Sequence, residues 1–405
     1  MSRPWWQPRA VLRRFVSDQV ADELGRQRRS APPRPLPWPD ELRLDEDLGV
    51  DSLELMALAT ALAEALHLHE SGIEDYLLAR RTLGDWVDIA TVGLSRFSER
   101  LTFRTSGSTG LPRPCVHTLA TLQQEARHLA TLFSGRKRLL SAVPAHHIYG
   151  FLFTVLLPRE LGLAGDAVLD LRASTPAWLA RGARPGDLVV AHPDFWRAAG
   201  RALPLLPADV IGVTSTAPCP DDVAEAMTTA GLAHLVQVYG ASETGGVGAR
   251  ASHREDYALF PHWRLDPADA HRLLRTMPDG GEQAFVVQDT LQPRGERRFR
   301  LGGRHDHAVQ VGGINVFPAR VREVLRRHPG VEDAAVRLMR ADEGTRLKAF
   351  VVPRRGFQVQ ADLLADLRRW IDRELAVAER PKAIRLGDCL PQTASGKPAD
   401  WSVQD

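Results

Sequence analysis

From Leu101 onward the chain alternates short runs of β-forming residues with Ala- and Leu-rich stretches and glycine turns; Leu188-Val-Val-Ala191 and Leu235-Val-Gln-Val-Tyr239 are two such runs. Short apolar strands need cover on their faces, and helical stretches between them supply it, so this texture predicts a layered α/β domain. The length of 405 residues allows two or three domains, and 44% hydrophobic residues suffice for a sizeable core. Disordered, collagen-like and coiled-coil architectures are excluded on the same grounds.

Ahead of that domain, Val11, Leu12, Phe15, Val16, Val20 and Leu24 recur at three- and four-residue spacing and predict an amphipathic helix over 8–24. The proline-rich stretch 26–39 ends it, because proline lacks the amide donor and crowds the preceding turn. A second helix is expected from Asp51, with Leu55, Leu58, Leu62 and Leu66 on one face, then a short acidic element at 74–78 and a helix over 83–89. Residues 1–95 are thus expected to form a small helical domain and 96–303 the α/β domain. Residues 304–405, beyond a glycine-rich turn between Gly302 and Gly313, read as an α+β lobe with helices over 318–328 and 363–375.

The chain carries 52 Lys plus Arg against 50 Asp plus Glu, a net charge of +2, which argues against a protein built to neutralise nucleic-acid phosphate. Cys115, Cys219 and Cys389 are far apart and lack paired spacing, so neither a disulfide framework nor a zinc cage is expected, and a reducing cytoplasm fits. The apolar run 151–157 is far shorter than the roughly 20 residues of a membrane span. No membrane partner is expected.

The segment Thr105, Ser106, Gly107, Ser108, Thr109, Gly110, Leu111, Pro112, Arg113 directly follows a strand-like run. Its hydroxyls, and amides that glycine leaves sterically open, can wrap polyphosphate oxygens while Arg113 supplies positive charge. It is not a Walker A loop, since no Gly-Lys-Ser/Thr follows at the required spacing. An ordinary Ser/Gly turn is the alternative.

This segment resembles the phosphate loop of the adenylate-forming superfamily, which includes acyl-CoA synthetases, nonribosomal adenylation domains and luciferases. Four later segments fall in that family's order: Val143-Pro-Ala-His-His-Ile-Tyr-Gly150, Tyr239-Gly-Ala-Ser-Glu-Thr-Gly245, Gly303-Arg-His-Asp306 and Pro391-Gln-Thr-Ala-Ser-Gly-Lys397. The resemblance implies an α/β fold with an adenylate-forming large domain, truncated at its start, and a small mobile α+β C-terminal lobe. It implies ATP and Mg²⁺ as cofactors, with Glu243 holding the metal and Lys397 reaching the carboxylate oxygen and α-phosphate. Tyr239 would stack on adenine, Asp289 bind the ribose, Ser242 and Arg304 complete the nucleotide site, and His147 stand at the mouth of the acyl pocket. Core packing for His147 and a surface loop for Asp289 are the alternatives. The requirement behind this set is electrostatic: joining a carboxylate to the α-phosphate brings two anions together, so cations must converge on them. The chain departs from the family pattern in Arg113 and Gln310, where lysine is usual, in Ser242 for threonine, and in Val-Gln before Asp289.

Leu48-Gly-Val-Asp-Ser-Leu-Glu-Leu-Met56 resembles the Asp-Ser-Leu motif of acyl carrier proteins, and 82–88 resembles their last helix. The likeness implies a carrier-like bundle in which a phosphopantetheinyl transferase attaches 4′-phosphopantetheine to Ser52, at a helix N-terminus that favours negative charge. A plain capping box formed by Asp51 and Glu54 is the alternative. The run from His146 to Pro158 is similar to the small AMP-ligases of aryl-polyene and xanthomonadin pigment clusters, which implies a hydroxybenzoate-like aryl acid and a role in secondary metabolism. The expected reaction is therefore ATP-dependent formation of acyl-AMP followed by transfer to a carrier thiol, with acyl carrier protein or ketosynthase-type enzymes as partners. An acyl-CoA ligase using free CoA, and a non-catalytic protein that docks carriers, are the other two readings.

Overall fold

The N-terminal stretch folds as helices, one of them closed at its start by a capping box. In the computed structural model, which describes residues 3–28, 30, 34–105, 113–202, 205–304, 306–340, 342–354, 360–392 and 399–403, the first helix α1 spans Arg9–Arg28 and the second, α2, spans Ser52–Leu66. Asp51 caps α2: its carboxylate accepts from the Glu54 amide at 2.8 Å, and Glu54 accepts from the Asp51 amide at 3.2 Å. This is the capping box that the sequence allowed. Helix α1 outlasts its predicted end at residue 24 because Arg28 binds Glu54 through Nε at 2.6 Å and the Leu48 carbonyl through Nη1 at 2.8 Å.

Two compact units make up the chain, one formed by the residues up to Thr105 together with Arg113–Gly303, the other running from Arg304 to the C-terminal end. The separate helical domain expected over 1–95 is not one of them. Trp5, Phe15 of α1 and Phe103 all meet Phe151, with ring centroids at 5.0, 5.9 and 5.5 Å. Arg14 donates to Thr154 Oγ1 at 3.0 Å, and His67 pairs with Thr102 Oγ1 at 3.0 Å. The apolar faces of the N-terminal helices are therefore spent on the α/β core. Helix α1 is wrapped on more than one side, which buries Ser17, Asp18, Gln19 and Glu23 as well as its apolar stripe.

Strands β1 (Arg100–Thr105) and β2 (Arg113–Thr118) form an antiparallel pair. They are followed by β3 (Arg138–Ser141), β4 (Val168–Asp170), β5 (Asp187–Ala191), β6 (Ile211–Thr214), β7 (His234–Ala241), β8 (Gly245–Arg250) and β9 (Tyr257–Leu259). A hairpin sheet of β10 (Trp263–Asp266), β11 (Asp269–Thr276) and β12 (Glu282–Val286) precedes β13 (Asp289–Pro293) and β14 (Arg298–Arg304). The main sheet has nine strands in the order β13-β14-β9-β8-β7-β6-β5-β3-β4. Strands β4, β3, β5, β6 and β7 run parallel, and β7 through β9 and β14 antiparallel. The fully buried β5 matches the continuous apolar run of a strand covered on both faces.

In the second unit, β15 (Val309–Val311) and β16 (Ile314–Val316) are joined by Gly312 and Gly313, whose φ values of +59° and +80° suit the two-residue turn that only glycine or Asn/Asp adopts readily. Strand β17 (Val331–Leu338) pairs with β18 (Leu347–Pro353), which pairs in parallel with β19 (Ala383–Leu386). Helices Pro318–Arg326 and Gln360–Glu374 accompany this sheet. Lys348, fully buried on β18, is neutralised by Glu343 at 2.7 Å and Asp400 at 3.0 Å and donates to the Trp401 carbonyl at 2.6 Å, which fastens the tail to the sheet. Among the described residues no helix is long and apolar enough to cross a membrane.

Candidate active site

Parallel strands bring their carboxyl ends to one edge of a sheet, and binding residues collect there. The segments leaving β3, β6 and β7 carry His146 and His147, the turn Thr216-Ala-Pro218, and Ser242 with Glu243, so residues roughly 100 positions apart in sequence share the edge of one unit.

The histidine segment is held from α1. Asp18 accepts from the Ala145 amide at 2.6 Å and from Arg172 Nη1 at 2.7 Å. His147 caps the short helix Ile148–Phe151 with extended backbone and is open to solvent, its ring 4.1 Å from that of His146. Surrounding protein, where the ring faces it rather than solvent, and the neighbouring His146 lower the proton affinity of the His147 imidazole. Gly150 admits no side chain, since a Cβ there would lie 1.8 Å from the Pro144 carbonyl oxygen. Tyr149 and Phe151, in the run that resembles the aryl-acid ligases, are both buried. The Tyr149 hydroxyl donates to the Ala191 and Val213 carbonyls at 3.0 and 3.2 Å, ends of β5 and β6, and Phe151 packs against Trp5 and Phe15.

The turn after β7 faces β2. Residues 113, 115 and 117 alternate onto one side of that strand. His117 Nε2 meets the Ser242 carbonyl at 2.6 Å, and the Cys115 thiol, pushed up to about 12 by burial and by the charge of Glu243, marks that carboxylate as its neighbour. Glu243 itself is exposed at the edge. The fold thus draws Arg113, one end of the phosphate-loop candidate, to the same side of β2 as the groups that meet Ser242 and Glu243. Thr105 pairs with Arg113 across the β1–β2 ladder. Ser106, Gly107, Ser108, Thr109 and Gly110 lie outside the described residues, as does Lys397. The Ala399 amide donates to the Pro391 carbonyl at 2.9 Å, which joins the two ends of the Lys397 segment.

Tyr239 and Asp289, 50 residues apart, are brought together: the phenol donates to Asp289 Oδ2 at 3.2 Å, and the Tyr239 ring sits among Tyr257 and Phe299. Arg304 grips Asp306 with two bonds, Nε–Oδ1 at 2.9 Å and Nη2–Oδ2 at 2.6 Å. Burial opposes ionisation of Asp306, but Arg304 and the Ala308 amide outweigh it and hold the carboxyl below its usual range. Ser52 lies in the first turn of α2, exposed, beside Leu53 and Met56, which are 77% and 55% exposed.

Sequence reasoning missed the groups that brace the β7–β8 turn. Glu125, fully buried on helix Leu119–Leu132, accepts from the Gly246 amide at 2.8 Å, and a Cβ on Gly246 would come within 2.5 Å of that oxygen. Arg275, buried over the Trp263 ring, donates to the Thr244 carbonyl at 3.1 Å and the Thr121 carbonyl at 2.8 Å. A signal existed for Glu125, because Leu122, Ala126 and Leu129 place it on the apolar side of its helix. Asp18 stood equally misplaced among the apolar positions of α1.

Residues 102–270 match the family described as AMP-binding enzyme, and residues 321–397 match the AMP-binding enzyme C-terminal domain. The 4-coumarate–CoA ligase of Halorhodospira halophila is 39% identical over 388 residues, covering 96% of this chain and 97% of the relative. The 4-coumarate–CoA ligase of Cereibacter sphaeroides is 40% identical over 372 residues, covering 90% and 87%. Among solved structures, an o-succinylbenzoate CoA synthetase double mutant from Bacillus subtilis superposes with a TM-score of 0.60 at 16% identity over 98% of both chains. The amide bond synthetase of Marinactinospora thermotolerans gives 0.62 at 18% identity over 96% and 93%. At these identities the structural likeness speaks to the fold alone, which is the adenylate-forming one with a large N-terminal part and a small C-terminal lobe.

Proposed function

The chain belongs to the AMP-binding enzyme family, and from that premise we propose that it is an acid–thiol ligase that activates an aryl carboxylic acid as acyl-AMP and transfers the acyl group to free CoA. The observation that carries the choice of CoA is coverage. Relatives named for a CoA ligase align with nearly the whole chain, N-terminal helices included, and those helices share one core with the α/β domain. A carrier domain that loads itself must detach and swing, whereas Trp5, Phe15, Phe103 and Phe151 interlock.

In this reading Tyr239 and Asp289 bind adenine and ribose, and Arg113 with the preceding loop holds the phosphates. Glu243 fits Mg²⁺, a hard ion that takes one or two carboxylates plus phosphate oxygens from its substrate. Its exposed carboxylate at the strand edge, beside a thiol whose ionisation it disfavours, is such a ligand. The metal screens phosphate charge when bound. His147, at the edge of the sheet, borders the acid, and Lys397, from the 391–397 motif, neutralises the carboxylate and α-phosphate. The aryl preference rests on the His146-to-Pro158 segment and on the names of the relatives.

A carrier role for Ser52 is the second reading, favoured by its exposure in the first turn of α2 beside Leu53 and Met56. Incubation of the full chain with ATP, Mg²⁺, 4-coumarate and CoA should yield aryl-CoA and pyrophosphate at rates that Ser52→Ala leaves intact. Absence of aryl-CoA, together with a phosphopantetheine and acyl mass increment on the protein after treatment with a phosphopantetheinyl transferase, would reverse the choice.

A further inference from the structure

Asp22, His146 and His147 stand close enough to share an ion: one ligand atom from each lies within 4.8 Å of the others. His146 is 7% exposed, and among the described residues neither of its ring nitrogens has a hydrogen-bond partner; Asp22 Oδ2 stands 3.6 Å from Nε2. Buried imidazoles normally satisfy both nitrogens, and one that satisfies neither beside a carboxylate is short of a partner. We propose that Asp22, His146 and His147 form a binding site for a divalent transition-metal ion of the zinc class, which clips helix α1 to the segment after β3.

Two imidazoles and a carboxylate are donors that suit Zn²⁺ and its neighbours rather than Mg²⁺. Tetrahedral ligands about a zinc ion stand roughly 3.4 Å apart; the Asp22–His146 edge is already 3.6 Å. The scaffold is preorganised on both sides. Asp18, one helical turn before Asp22, accepts the Ala145 amide and Arg172, so the loop is fixed against α1 before any ion binds. Asp22, with 49% of its side chain exposed, and His147 leave an open side through which a water enters as fourth ligand.

The intact chain of 405 residues, stripped with a chelator and titrated with ZnCl₂ by calorimetry at neutral pH, should take up one equivalent. Cobalt(II) should give the visible absorption of a tetrahedral site, and tenfold excess Mg²⁺ should displace neither. Asp22→Asn and His146→Gln should each weaken zinc at least ~10-fold, the lower end of what even outer-shell changes cost, and should abolish the rise in unfolding temperature that zinc gives the parent chain. Asn at the half-exposed position 22 leaves the core untouched, so this variant reads binding even where His146→Gln unfolds. His69→Gln, in the second group of potential ligands formed by His67, His69 and Glu70, should bind zinc as the parent does. Substoichiometric uptake, displacement by Mg²⁺, or unchanged affinity in Asp22→Asn would overturn the assignment.

Discussion

Asp18→Ala removes the strut between α1 and the histidine segment, and its cost follows from the bonds it breaks. Asp18 is fully buried and accepts two charge-assisted bonds, from the Ala145 amide and from Arg172. Arg172 keeps its second carboxylate, since Nε also donates to Asp170 Oδ1 at 2.9 Å, so its charge is not stranded. The Ala145 amide is left buried without an acceptor, which costs about 1–3 kcal/mol, and the lost charged bond adds a comparable amount. A net loss of about 3 kcal/mol, spread over a unit of roughly 300 residues, lowers its unfolding midpoint by about 5 °C. Ala145 immediately precedes His146 and His147, so the same change loosens the acyl side of the site. Calorimetric unfolding and pyrophosphate-release kinetics together test this: kcat/KM for the acid should fall ~10–100-fold while KM for ATP stays near its parent value. Asp18→Asn retains an acceptor for the amide and should lose about half as much. An unfolding midpoint within about 1 °C of the parent, with unchanged acid kinetics, would refute the view that α1 positions this segment.

Glu243→Gln should lower pyrophosphate release ~100-fold and raise the Mg²⁺ concentration needed for half-maximal rate, as expected when a ligand acting on transferring phosphate is removed. Lys397→Ala should suppress acid-dependent pyrophosphate release ~100-fold or more with little change in melting temperature; unchanged release would exclude Lys397 from the chemistry. Glu125, pushed up to about 7 by burial against the pull of Arg275 and the Gly246 amide, binds a proton more tightly folded than unfolded. Its contribution is therefore full below about pH 4.5 and is lost as pH rises through 7, so parent stability should fall across that window by a few kcal/mol. Denaturant midpoints of Glu125→Gln should show a flatter slope there; an identical slope would count against the shift.

The layered α/β domain was legible because a strand buried on both faces has to read as an apolar run, as Leu188-Val-Val-Ala191 does, and the segment 239–245 through its resemblance to a family motif. Helix α1 shows where such reading stops. A stripe of Leu12, Phe15, Val16 and Val20 reports that a helix has an apolar side, and that side looks the same whether its partner is a sister helix or the aromatic ring of Phe151 far along the chain. The discriminating residues were the polar ones. An isolated three-helix bundle has no reason to bury Asp18 and Glu23, and their burial makes sense only once Ala145, Arg172 and Arg104 arrive to meet them. The same logic explains the apolar run 151–157. Read alone it is an apolar run too short to span a membrane; in the fold it is a buried helical segment with a wide turn over Leu152–Leu156, flanked by α1 on one side and by Phe133 on the other. Strand β8 was missed for a different reason. Gly245, Gly246 and Gly248 carry no β-propensity, and Gly246 and Gly248 are required because Glu125, Phe260 and the Ala258 backbone approach too closely for any side chain. The carboxylates that sequence periodicity left out of place are thus the ones that fasten the candidate site. Bracing of that kind is work the N-terminal helix α1 performs, through Asp18 on the Ala145 amide and Arg172.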